Sequence, residues 1–219
     1  MQSTSSARIW TGGEDTNGSW GLSAAARRRS RIAGRAQQRI DYTLERLRRS
    51  GYVQRVVPLG HATADPLYEI ADTYLAFWFG VLRDDVDLIE GGQGDAVRHR
   101  TEQRLQQHVG RVFESACRDH ATRLVHDGTL PRNMVIGRWW RDVTAEVDVL
   151  GMIGGKTALM GECRWQSGPL TARDLTELHR KVAYVPDPAD DLMPRFWTRS
   201  GAAEPGFPVT AYSADDVIG

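Results

Sequence analysis

The sequence predicts an α/β fold, a mixed sheet flanked by helices and preceded by a partial helix-strand-strand segment, and three observations carry that expectation. Leu105, Val109, Val112, Phe113, Ala116, Cys117, His120 and Leu124 recur at helical spacing, the signature of one long amphipathic helix. Three strand-like stretches follow it, at 133–141, 146–153 and 157–165. A second helical stripe, Leu175, Leu178, Val182 and Val185, then leads to strand-like segments at 196–198 and 208–212, so the core order is helix-β-β-β-helix-β.

At 219 residues and 41% hydrophobic content, the chain can bury one sizeable core, or one domain plus a small partner. Formal net charge is zero, yet residues 1–60 hold 11 Arg against 4 acidic residues, so a basic N-terminal end precedes an acidic body. Residues 1–32, rich in Gly, Ser and Thr and ending in a run of arginines, read as a disordered basic tail. From about Ala33 a helix is expected, with Ile40, Leu44 and Leu47 on one face, Arg39, Arg46, Arg48 and Arg49 on the other, and Gly51 as its stop. Short strands at 52–58 and 67–70 complete the closing half of a winged helix over residues 33–90, whose four arginines are expected to contact a DNA phosphate backbone. Asp72 is a suitable N-cap for a further helix with a Leu75, Phe79 and Leu82 stripe. The stretch 84–95, "DDVDLIEGGQGD", reads as a linker to the main domain at 95–219.

Several classes of function find no support. Cys117 and Cys163 stand far apart with no CxxC or Cys/His ligand spacing, which argues for two buried thiols rather than a zinc site. The longest apolar run, 74–82, is too short to span a bilayer and no signal core opens the chain, so a cytoplasmic protein with no membrane association is expected. His120 lies on a buried helical stripe and His179 beside Leu178, both in the manner of structural histidines. Trp139 and Trp140 are neighbours on a strand and must point to opposite faces, so at least one belongs to the core.

The segment "EVDVLGMIGGKTALMGECRW", 146–165, decides between two chemistries. A phosphate-binding P-loop needs G-x-x-x-x-G-K-[ST] between a strand and a helix. Its first glycine would fall on Leu150, and Ala158 to Cys163 continues as a strand, so no ATP site is expected. As a hairpin, a three-residue turn Gly154-Gly155-Lys156 sets Ile153 opposite Thr157, Asp148 opposite Glu162 and Glu146 opposite Arg164. Two opposed carboxylates repel, and either a divalent cation or the Arg164 guanidinium has to compensate them.

These residues resemble a known family. Asp148, then Glu162-Cys163-Arg164 on the next strand, with Glu114 on the preceding helix, looks like the PD-(D/E)XK nuclease superfamily. More closely, "YEIADTYLAFWF" (68–79), "VGRVFESACRDH" (109–120), "IGRWW" (136–140), "EVDVL" (146–150), "GECRW" (161–165) and "WTRSGAAEPGF" (197–207) are similar to the C-terminal region of archaeal-type AAA ATPases, over about residues 40–210. The resemblance implies a winged helix joined to a restriction-endonuclease-like domain, DNA as partner, and an ATPase domain as the usual companion. It further implies Asp148 and Glu162 as ligands of Mg²⁺ or Mn²⁺, Glu114 as an assisting carboxylate, and position 164 as a catalytic site normally held by Lys. Arg164 can balance phosphate charge there but cannot serve as a base. A catalytically inactive binding or regulatory module of the same fold, related to that ATPase family and serving to dock a partner, is the alternative, with Arg164 in the cation's place.

Overall fold

The computed structural model describes residues 8–9, 32–61, 66–141, 145–165 and 168–219, with 8–9 and 32–38 described as backbone. The rest of the expected basic tail, including Arg27, Arg28, Arg29 and Arg31, lies outside the described residues. The chain divides into two compact units, Met1–Val57 with Thr63–Val109, and Pro58–Ala62 with Gly110–Gly219.

The first unit contains β1 (Arg8–Ile9), α1 (Ile32–Arg49), β2 (Val53–Val56), β3 (Leu67–Ile70) and α2 (Thr73–Phe77). Gly51, at φ 77, lets the chain leave α1 through the left-handed region and turn into β2. Strands β2 and β3 pair antiparallel, and β1 adds to the other edge of β3 in parallel. Asp72 caps α2 as expected, its Oδ1 accepting from the Leu75 N–H at 2.8 Å. Beyond α2 the predicted helical stripe does not continue. A π-helical turn at 78–82 resets the spacing, burying Val81 and leaving Phe79 exposed. Nor is 84–95 a plain linker: it holds α3 (Val86–Glu90), and Asp85 is buried against Arg100 at 3.2 Å and Arg104. The two arginines stand at i, i+4 on α4 (Gly94–Asp127), so one helix face supplies both counter-charges.

In the second unit the last part of α4 is followed by β4 (Val135–Arg141), β5 (Ala145–Ile153), β6 (Lys156–Arg164), α5 (Ala172–Lys181), β7 (Pro188–Thr198), β8 (Ala211–Tyr212) and α6 (Ala214–Ile218). The sheet order is β4-β5-β6-β7-β8, antiparallel from β4 to β6 and parallel from β6 to β8. On one face Phe113, Cys117, Ala121 and Val125 of α4 bury Val149, Leu159 and Trp197. On the other, Leu178 of α5 closes over Val147, Leu150, Met160 and Phe196. This is the expected mixed sheet flanked by helices, and it is compatible with a nuclease-like α/β fold.

Two irregularities shape the central strands. Gly154 (φ 58) and Gly155 (φ 89) form a two-residue turn with Ile153 opposite Lys156, not the expected three-residue turn. Consecutive left-handed residues match the strand twist, which favours the shorter connection. Ala158 is then an extra residue in β6, and beyond it Gly151 faces Leu159 and Leu150 faces Met160, the predicted register recovered through a bulge. On the other side of β5, the three steps from Val147 to Leu150 run against only two steps of β4, Gly137 to Trp139. That second bulge turns Val147 and Leu150 to the α5 face and Val149 to the α4 face, with Asp148 between them.

Candidate active site

The ladder between β5 and β6 ends at Val149 opposite Gly161, one rung before the expected pairing of Asp148 with Glu162. Asp148 fills that rung with its side chain, Oδ2 accepting from the Cys163 N–H at 2.9 Å. β6 instead continues along β7, with Glu162 beside Phe196 and Arg164 beside Thr198. Gly161 is needed at this junction because a Cβ there would meet Cζ3 of the buried Trp197 at 2.4 Å. Trp197 is held in turn by its Nε1–H, which donates to His120 Nδ1 at 2.9 Å, so His120 is structural as expected.

Where the strands part, Asp148 acts electrostatically on two other buried carboxylates, Glu162 and Glu114. Glu162 is buried on the α5 face, and its Oε1 accepts from Lys181 Nζ at 2.5 Å. Burial, with the neighbouring charge of Asp148, pushes its carboxyl up to about 7 against the opposing pull of Lys181. Glu114, on α4, is also pushed up to about 7, by burial first and Asp148 second, with Arg138 opposing. Burial raises Asp148 as well, although the Cys163 N–H works against it. Its backbone carbonyl accepts from Arg118 Nη1 at 3.1 Å, which ties α4 to the bulge. Glu114 and Glu162 therefore resist ionisation partly because Asp148 is present, and Asp148 partly because Glu146 is.

The cations stand elsewhere than the sequence suggested. Arg164 turns to the acids of α5, 3.3 Å from Glu177 and 3.8 Å from Asp174, and its buried Nε has no hydrogen-bond partner. It does not fill the space between Asp148 and Glu162. Glu146 faces Trp140 of β4 instead of Arg164, because β5 pairs with β4 along this stretch after its ladder with β6 has ended. Its partner is Arg138, whose Nε donates to Oε1 at 2.7 Å and whose guanidinium lies over Trp140 at 5.6 Å. Trp139 is buried and Trp140 partly exposed, in line with the alternation of the strand.

Lys181 is the residue that sequence reasoning missed. It is the last residue of α5, a helix begun by a Thr171 and Asp174 capping box. A signal was available: Leu178 is on the buried stripe, and three residues on, Lys181 shares its face and must look toward the sheet. In the first unit, Arg48 and Arg49 are exposed and each lies 2.8 Å from Glu45, Arg46 covers Tyr42 at 5.8 Å, and Arg39 is exposed one turn earlier on α1. His179 is exposed on α5.

Among the described residues no three His, Cys, Asp or Glu side chains converge as a group that could hold a metal ion. No described helix is long and apolar enough to cross a membrane.

The model of the DUF234 family, archaea bacterial proteins of unknown function, matches residues 78–178. This likeness covers less than half of the chain; it includes Glu114, Asp148, Glu162 and Arg164 and stops short of Lys181. Neither the curated proteins nor the solved structures contain a match.

Proposed function

We propose that this chain is a DNA-associated protein of nuclease type, cleaving phosphodiester bonds with a divalent cation at the end of β5 and β6. The reading is carried by one observation: at the point where β5 leaves β6, Asp148 lies within electrostatic reach of two other buried carboxyls, Glu162 and Glu114, and burial raises all three. A divalent cation would offset the repulsion that Asp148 exerts on its two neighbours. Asp148 and Glu162 would hold Mg²⁺ or Mn²⁺, with phosphate and water oxygens completing a shell that the protein alone does not enclose. The ion would supply polarisation of water and of the scissile phosphate.

The chain's own residues supply the rest. Lys181 neutralises Glu162 and presents an ammonium beside the reacting position, the service that a lysine at position 164 would give. Glu114, raised to about 7, can carry a proton at neutral pH and pass it to a leaving oxygen or take one from water. Arg164 braces α5 through Asp174 and Glu177 and acts indirectly. The exposed arginines of α1 would contact the DNA backbone, and an ATPase partner in the cytoplasm is part of the same reading.

The contact of Lys181 with Glu162 also supports a second reading, a binding or regulatory module in which Lys181 is the standing counter-charge and no cation enters. Incubation with plasmid and single-stranded DNA in Mg²⁺ or Mn²⁺ separates the two. Nicking or degradation that Asp148→Ala abolishes is the expected result. Cleavage unchanged by that substitution would remove Asp148 from the chemistry, and no cleavage under any condition selects the binding module.

A further inference from the structure

Two arginine-tryptophan stacks flank the carboxylates. Arg138 lies over Trp140 near the end of β4, at 5.6 Å, and Arg199, just past β7, lies over Trp165, just past β6, at 5.5 Å. Both stand at the end of the sheet away from the Gly154-Gly155 turn, because β4 runs antiparallel to β5 while β6 and β7 run parallel. Both also lie on the α4 face. Trp140 is opposite in direction to Trp139, which joins the α5 side of the core, and Trp165 packs on Phe113 of α4 with centroids 5.0 Å apart. Between the stacks come Glu146 and Asp148 of β5 and Glu114, the neighbour of Phe113.

The two indoles differ in how they are held. Arg138 is fixed by its ion pair with Glu146 and is 12% exposed in its side chain. Arg199 is exposed, and its guanidinium covers a partly exposed ring. Folding alone gives no reason to keep a charge over Trp165, where an apolar side chain would cover the ring as well. A planar guanidinium on an indole presents a flat cationic surface, and nucleobases stack on such surfaces while their phosphates are attracted to the charge. Trp140 is on β4 and Trp165 just past β6, so β5 with its carboxylates comes between the two rings in the order of the sheet. That arrangement suits a strand whose bases are unpaired, since in a duplex the base faces are already occupied by their neighbours.

Building on the DNA reading above, we infer that the substrate bound at this end of the sheet is single-stranded DNA, its bases stacking on the Trp165-Arg199 and Trp140-Arg138 pairs so that a phosphate lies over Asp148. The acids repel phosphate by themselves; the two flanking guanidiniums hold the strand, and the carboxylates act on the linkage between.

Fluorescence anisotropy tests this without requiring turnover. The full chain is titrated in EDTA at low salt against a fluorescein-labelled oligothymidylate and against a labelled hairpin duplex of equal nucleotide count. The single strand should bind roughly tenfold tighter or better, and Arg199→Glu, a change at an exposed position, should weaken it roughly tenfold while altering duplex binding much less. Binding of the single strand should also quench intrinsic tryptophan fluorescence, and Trp165→Phe, which keeps an aromatic core contact with Phe113, should remove part of the quench. Equal affinity for both DNAs, or single-strand affinity indifferent to Arg199→Glu, overturns the inference. If Asp148-dependent cleavage of duplex plasmid persists in that case, the nuclease reading stands and only the strand preference falls. Absence of binding to either DNA removes both.

Discussion

Glu114 carries a cost that its site imposes. A carboxyl raised from 4.5 to about 7 by burial and by Asp148 is protonated more readily in the folded chain than in the unfolded one. Its contribution to stability is therefore complete below about pH 4.5 and is lost as pH rises through about 7. Glu114→Gln, which keeps the shape without the charge, should stabilise the protein by about 1–3 kcal/mol at pH 8 and by almost nothing at pH 4.5. Urea denaturation at the two pH values checks this, and a gain at pH 8 coupled to lost DNA cleavage would mark Glu114 as a residue kept for function at the expense of stability. His120 has the opposite sign. Burial first, and then Arg123, hold its pKa below the usual 6.5, and Nδ1 must stay unprotonated to accept from Trp197. Its stability contribution is present above about pH 6.5 and declines as pH falls through the lowered value. Relative to His120→Gln, the wild type should lose more stability between pH 7.5 and 5, while at pH 7.5 the substitution should cost about 1–3 kcal/mol for the stranded indole N–H.

The elements were legible wherever their residues repeat with a clear period, and opaque where a single residue breaks the period. The long helix α4, the three antiparallel strands and α5 all follow from apolar spacing, and the body of the hairpin register follows from matching apolar faces. The bulges at Asp148 and Ala158 do not follow, because one inserted residue inverts the faces only beyond itself and leaves composition unchanged. Glu146 meets Arg138 of β4 rather than Arg164 of β6 for the same reason, because apolar spacing does not mark the point where the β5–β6 ladder stops. Lys181 lies outside the hairpin altogether, so only the packing of α5 on the sheet brings its ammonium to Glu162. Gly161 reports how tightly that junction is built. With Trp197 Cζ3 2.4 Å and Val149 Cβ 3.1 Å from an added Cβ, Gly161→Ala forces the indole off His120 or parts the last rung of the ladder. A loss of about 1–3 kcal/mol is expected. Thermal unfolding measures it, and a neutral result would mean that the strands can part further at this point without penalty.

Charge is distributed by position along the chain, and this has consequences for how DNA binding should respond to salt. Residues 1–60 hold 11 arginines against 4 acidic residues, while the buried carboxylates lie between 114 and 162, so the proposed function places backbone attraction and chemistry in different parts of the sequence. Each phosphate neutralised by an arginine releases counterions and contributes about 0.9 to the slope of log affinity against log salt. Arg39, Arg46, Arg48 and Arg49 could together contribute close to 4, but Arg48 and Arg49 already share Glu45, and a phosphate has to compete with that carboxylate for them. Exposed pairs of this kind are weak, so the competition lowers their share without abolishing it. Replacing all four by Ser should therefore reduce the salt slope for duplex DNA by about 2 to 4 and leave the preference for single strands intact. The measurement is affinity for one labelled duplex in EDTA across a series of salt concentrations. A slope unchanged by the quadruple substitution removes α1 from the DNA interface and leaves binding to the strand-end site alone.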